Sequence, residues 1–88
     1  MLARNPVPIH AADREQARYF GAVLSARRAE LEERVDALHS ELTKLAGMGD
    51  HVGLRSKRRI IRGLEDEVHC VDRMLKALRN RFGPDVEV

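Results

Sequence analysis

Residues 54–82 read LRSKRRIIRGLEDEVHCVDRMLKALRNRF, and this stretch decides the fold. Apolar side chains recur along it at steps of three and four residues, which is the spacing of one face of a long α-helix. The positions of this row are Leu54, Lys57, Ile61, Leu64, Val68, Val71, Leu75, Leu78 and Phe82. Only Lys57 is polar, so the row predicts a helix over 54–82 that packs along its length against a partner helix.

Residues 13–46 carry a second apolar row at the same spacing. Its members are Ala17, Phe20, Leu24, Leu31, Val35, Leu38, Leu42 and Leu45, and Arg27 or Arg28 falls where the row should continue. Asp13 followed by Gln16 has the pattern of a helix N-cap with its capping-box partner. The sequence therefore predicts a helix over 13–46 whose apolar face is interrupted once, by arginine.

The connection between the two rows, residues 47–53, contains Gly47, Gly49 and Gly53. Glycines at this density predict the end of one helix and a chain reversal, and short connections join antiparallel helices. Folding the rows back on each other pairs Leu45 with Leu54, Leu38 with Ile61, Leu31 with Val68 and Leu24 with Leu75. We therefore predict an all-α, coiled-coil-like antiparallel hairpin.

The 88 residues leave room for one small domain, and two Phe, one Tyr and no Trp favour packed helices over an aromatic core. Pro6 and Pro8 predict an extended N-terminal arm over 1–12, and Gly83 and Pro84 predict a flexible tail over 83–88. No window approaches the ~18 apolar residues of a membrane span, and the start lacks a secretory signal. A soluble, cytoplasmic protein is expected.

A hairpin of this size buries one stripe per helix, which seldom offsets the entropy of ordering the chain. A second row on 54–82, with small residues that would let another helix approach, offers further burial. Its members are Ile60, Gly63, Cys70, Met74 and Ala77. We predict self-association through this row into a four-helix bundle, made by a homodimer or alternatively by a different protein partner.

Basic residues concentrate on the remaining side of 54–82, although the formal net charge is only +2. The predicted basic tip and ridge consists of Arg55, Lys57, Arg58, Arg59, Arg62, Arg73 and Lys76. Residues 54–62 hold five of these cations and no carboxylate, at a helix N-terminus where the dipole disfavours positive charge. This pattern favours binding of phosphates or carboxylates. The alternative is a solvated face partly balanced by Glu41 from the other helix.

No pattern in the chain predicts catalysis, a cofactor or a small-molecule substrate. Arg27 and Arg28 could hold a carboxylate substrate only if a pocket enclosed them. The pairs Asp36 with His39 and Glu65 with His69 have the spacing of metal ligands on one helix face, but the inward-pointing glutamates of a carboxylate-bridged bundle are missing. We therefore predict no metal site, and Cys70, the single cysteine, is expected to be a buried thiol without an internal disulfide.

The function that this pattern favours is a non-catalytic protein-binding hairpin that self-associates and engages a larger acidic macromolecule through the basic tip and ridge. One alternative is a nucleic-acid binder associated with transcription or translation, which would contact the backbone because stacking aromatics are scarce. Another is a small structural subunit of a larger assembly such as a phage particle.

Overall fold

The computed structural model describes residues 11–83, which form two α-helices: α1, Ala11–Met48, and α2, His51–Phe82. Lys57 pairs with Glu41 near the connection, and Arg27 pairs with Glu67 far from it. Contacts of this order along both helices require them to run antiparallel. The predicted all-α hairpin is confirmed.

The connection between the helices is only two residues long. Gly49 has a φ of 72°, a left-handed conformation that glycine adopts without steric cost. Its N–H donates to the Ala46 carbonyl at 3.2 Å, and the Asp50 N–H donates to the Leu45 carbonyl at 3.1 Å. This pair of hydrogen bonds is a Schellman motif, which closes α1 and reverses the chain at once.

Asp50 also begins α2. Its Oδ1 accepts a hydrogen bond of 2.9 Å from the Gly53 N–H, and its carbonyl accepts the first helical bond from Leu54 at 3.0 Å. Asp50 is therefore the N-cap of α2. The helix starts at His51, three residues before the predicted start, so Gly53 lies inside α2, and Gly47 lies inside α1.

The other predicted bounds also differ from the structure at the N-terminal end. α1 begins at Ala11, so Asp13 lies in its first turn and not at the N-cap. Of the predicted arm, residues 11 and 12 belong to α1 and residues 1–10 lie outside the described residues. α2 ends at Phe82 as predicted, and the Gly83 N–H donates to the Arg79 carbonyl at 2.8 Å. The rest of the predicted tail, 84–88, lies outside the described residues.

The core is a narrow strip between the helices. Its buried residues are Ala17, Gly21, Leu31, Ile61, Leu64, Val71 and Leu75. Leu31, Leu64, Val71 and Leu75 form one cluster, and the half-buried residues packed on it are Leu24, Val35, Leu38 and Val68. The predicted partners Leu31 and Val68 belong to this one cluster, as do Leu24 and Leu75.

Phe20 departs from its predicted place in the apolar row. Its side chain is 49% exposed, whereas Ala17 and Gly21 are buried on either side of it. The spacing of Ala17, Gly21 and Leu24 is also helical, so small residues take the face toward α2 and Phe20 lies at its edge. The prediction that Phe20 belongs to the buried face is wrong.

Candidate interaction surfaces

Six exposed cations of α2 lie outside its buried face, and we call them the outer ridge. They are Arg55, Arg58, Arg59, Arg62, Arg73 and Lys76, all exposed. The 100° step of an α-helix places Arg55, Arg59 and Arg62 opposite the buried Ile61 and Leu64. Within residues 11–83 none of the six forms an ion pair or a side-chain hydrogen bond.

Lys57 belongs to a different environment from the outer ridge. Its Nζ lies 2.9 Å from Glu41 Oε2, and its side chain is 34% exposed, on the side of α2 that faces α1. Neutralisation by Glu41, the alternative considered for the basic run, therefore applies to Lys57. Within the described part of the chain Glu41 pairs with none of the neighbouring arginines.

Arg28 is held by two carboxylates. Its Nε lies 2.5 Å from Asp72 Oδ1, its Nη2 3.4 Å from Asp72 Oδ2, and its Nη1 2.8 Å from Glu32 Oε1. The hydrogen bond from Arg28, reinforced by its charge, lowers the pKa of Asp72 and outweighs partial burial, which acts in the opposite direction. The same bond raises the pKa of Arg28. All three guanidinium nitrogens already face carboxylate oxygens.

Arg27 is also paired, on the other side of the hairpin. Its Nη2 lies 2.9 Å from Glu67 Oε2 across the helix interface, and its Nη1 lies 3.6 Å from Glu30 Oε2 on the same helix. The pairs that Arg27 and Arg28 make with Glu67 and Asp72 were not predicted, although the predicted register places these residues within reach. Neither arginine is enclosed in a pocket or free to receive a substrate carboxylate.

The residues considered as metal ligands do not converge. Asp36, Glu65 and His69 line one shallow groove together with the ion pair of Arg28 and Asp72. In the part of the chain that the structure describes, no three His, Cys, Asp or Glu side chains gather into a group able to hold a metal ion. The groove is an open surface between the helices, and Arg28 pairs with two of its four carboxylates, Glu32 and Asp72.

The predicted self-association row divides into two parts. Met74 and Ala77 are exposed at the end of the hairpin far from the connection, while Ile60 and Gly63 lie about 16–26 Å closer to the connection at 1.5 Å per residue. Cys70, partly buried, lies between them. The row therefore extends over about 26 Å of α2.

Met74 and Ala77 instead share an apolar groove with α1, which we call the basal groove. It encloses about 420 Å³ and is lined by Phe20, Val23, Leu24, Met74, Ala77, Leu78 and Arg81. Phe20, Val23 and Met74 are 49%, 46% and 48% exposed, and the neighbouring Tyr19 is 66% exposed. Among the described lining residues only Arg81 is charged, and its guanidinium lies 5.3 Å from the centre of the Phe82 ring.

Sequence reasoning missed the contribution of Phe20 and Val23 to this groove. Residues 17–26 are apolar or small on almost every side of α1, so the helical period alone does not choose the buried face there. The spacing of Ala17 and Gly21 was the sequence signal that could have identified the buried face of α1 in this segment. Two small residues at i and i+4 let the helices approach closely and leave the larger neighbours outside.

Neither α1 nor α2, as described over residues 11–83, is long and apolar enough to cross a bilayer. Comparison of the chain with protein-family models, with curated proteins and with solved structures finds no match.

Proposed function

We propose that this chain is a non-catalytic interaction module, a helical hairpin that self-associates and binds an acidic macromolecular partner through the outer ridge. The observation that carries the proposal is the contrast between two sets of cations. Arg27, Arg28 and Lys57, beside the helix interface, are paired with carboxylates. The six cations of the outer ridge have no such partner within residues 11–83.

The position of the ridge favours an anionic ligand. Arg55, Arg58, Arg59 and Arg62 lie within eight consecutive residues in the first half of α2. Like charges this close repel one another. A multivalent anion relieves this repulsion, and guanidinium groups bind phosphates and carboxylates in a bidentate geometry.

Self-association is supported by the exposed basal groove and by the small core. Few side chains are buried between the two helices, and within residues 11–83 only Leu31 among the larger ones is fully enclosed. Covering the basal groove with a second copy would remove Phe20, Val23 and Met74 from water at roughly 25 cal/mol per Å² of apolar area. A four-helix bundle made by two hairpins is the arrangement we propose.

Retention on immobilised heparin, a polyanion, tests the partner-binding half of the proposal. The ridge variant Arg55→Gln, Arg59→Gln, Arg62→Gln should elute at a clearly lower salt concentration than the unmodified chain. The matched variant Arg14→Gln, Arg34→Gln, Lys44→Gln removes the same charge from exposed positions of α1. It should elute close to the unmodified chain. Equal elution of the two variants would show that net charge alone governs retention.

A further inference from the structure

We infer that the acidic partner is duplex DNA, whose phosphate backbone the outer ridge contacts without reading the base sequence. The inference rests on the proposed function and assigns a chemical class to its partner. Three features of the ridge support it: the absence of aromatic side chains near its first four arginines, the spacing of those arginines, and the accessibility of that face of α2.

The surroundings of Arg55, Arg58, Arg59 and Arg62, the four arginines of the ridge nearest the connection, lack the anchors of a protein interface. Binding energy at protein interfaces is concentrated in buried aromatic side chains and arginines packed in pockets. The aromatic residues of the chain are Tyr19, Phe20 and Phe82, all at the opposite end of the hairpin from Arg55. The exposed large apolar side chains in this part of α2 are Val52 and Ile60. Phosphate contacts need no such anchor.

The absence of aromatic residues near Arg55, Arg58, Arg59 and Arg62 also argues against single-stranded nucleic acid as the ligand. Proteins that bind single strands stack successive bases on aromatic side chains, at about 1–3 kcal/mol per base. A ridge of guanidinium groups alone can bind only the charged backbone. The ligand that presents backbone charge at the highest linear density is a duplex, with one charge per ~1.7 Å of helix axis.

The spacing and shape of the ridge fit this ligand. Arg55, Arg59 and Arg62 follow one another at i, i+4 and i+7, which spaces them over about 10 Å along α2. Arg58 lies to one side of this line, so the four arginines together cover a broad arc of the helix surface. An α-helix about 10–12 Å across enters the ~12 Å major groove of B-form DNA, whereas the major groove of duplex RNA is too narrow.

The architecture leaves this face of the helix accessible. α1 packs only on the opposite side of α2, and the two-residue connection through Gly49 and Asp50 adds no bulky loop beside the ridge. The contact has a natural boundary at Asp66, which lies one turn beyond Arg62 on the same side of α2. Its carboxylate would repel phosphates, so the contact is confined to the first turns of α2 and involves about three phosphates.

Fluorescence anisotropy with the full chain tests the inference. The probes are labelled 20-bp DNA duplexes of two unrelated sequences, titrated at 50 and 200 mM salt. Three phosphate contacts predict a fall in affinity of about 40-fold between these salt concentrations. The two sequences should bind within about threefold of each other. The ridge variant should lose at least about tenfold in affinity at 50 mM salt and most of its salt dependence.

The matched α1 variant and a duplex RNA provide the controls. The α1 variant should keep the salt dependence of the unmodified chain, and RNA should bind at least about tenfold more weakly than DNA. Circular dichroism verifies that each variant remains helical. RNA binding as tight as DNA binding would overturn the fit to the major groove. An unchanged salt dependence in the ridge variant would overturn the assignment of the contact.

The outcome also separates this inference from the proposed function on which it rests. If the chain fails to bind duplex DNA at 50 mM salt but the ridge still governs its retention on heparin, the inference is wrong and the proposed function stands. If the ridge variant and the α1 variant are retained equally on heparin and bind DNA equally, both are wrong.

Discussion

Arg28 illustrates how far a single residue can be understood from the sequence. Its position predicted a break in the apolar row of α1, and the structure places it there, half-buried beside the core. Its partner Asp72 was not predicted, because the choice between several nearby carboxylates depends on the direction of each side chain across the interface. The helix register limits which carboxylates Arg28 can reach, and side-chain geometry decides which of them it pairs with.

The lowered pKa of Asp72 makes the stability of the hairpin depend on pH. Its carboxyl group has the ordinary aspartate pKa, about 3.9, in the unfolded chain and a lower pKa when folded beside Arg28. The stabilisation is therefore fully present above the unfolded pKa. It is lost as the pH falls through the folded value.

Asp72→Asn should consequently lower the urea midpoint slightly at pH 7, by the small amount expected for a solvent-accessible ion pair. The difference from the unmodified chain should shrink below pH 4 and vanish when Asp72 is protonated. Asp66→Asn removes the same charge from an exposed position with no ion pair among residues 11–83, and it serves as control. A pH-independent effect of Asp72→Asn would show that packing, and not the ion pair, causes the loss.

At the scale of the helices, the glycines explain why the turn was predicted and its bounds were not. A dense run of glycine predicts a reversal, but only Gly49, with a φ of 72°, requires glycine for its backbone conformation. At Gly53 an added Cβ would lie 2.6 Å from Asp50 Oδ2, the side chain that caps α2. Gly53 therefore keeps room for the cap while lying inside the helix.

Gly63 offers the opposite case, since an added Cβ would meet nothing within 4 Å. Gly63→Ala should raise the free energy of unfolding by about 0.5–1 kcal/mol, because alanine loses less backbone entropy in a helix. Gly49→Ala should lower it by about 1–2 kcal/mol, the cost of a left-handed conformation with a Cβ. Urea unfolding at low protein concentration measures both. If both substitutions raised the free energy of unfolding, the left-handed conformation assigned to Gly49 in the turn would be contradicted.

At the scale of the whole molecule, the sequence predicts the buried strip well and the basal groove poorly. α2 has charged residues on its outer side, so its buried face is unambiguous, whereas residues 17–26 of α1 have too few polar side chains to define one. The proposed site of self-association, the basal groove, is therefore visible in the structure and not in the helical periodicity of the sequence. The groove brings together Phe20, Val23 and Met74, which no spacing within one helix connects.

Met74→Glu should disrupt the proposed dimer, because it places a charge in the basal groove at a position that self-association would bury. Sedimentation equilibrium should give a dimer mass for the unmodified chain and a monomer mass for this variant. Met48→Glu is the matched control: Met48 is 75% exposed beside the connection, outside the basal groove. A dimer that survives Met74→Glu, or a monomer in the unmodified chain, would rule out self-association through this groove.

The proposed self-association and the proposed DNA binding have a joint consequence, since a dimer would carry two outer ridges. Once one ridge is bound to a long duplex, the second binds intramolecularly at an effective concentration that can reach the millimolar range. The unmodified chain and Met48→Glu should therefore bind a 60-bp duplex at least about tenfold more tightly, per site, than a 15-bp duplex. Met74→Glu should bind the two lengths equally per site, because a monomer has a single ridge. Titrations at one salt concentration measure these ratios, and a length preference retained by monomeric Met74→Glu would mean that each ridge binds DNA independently of the dimer.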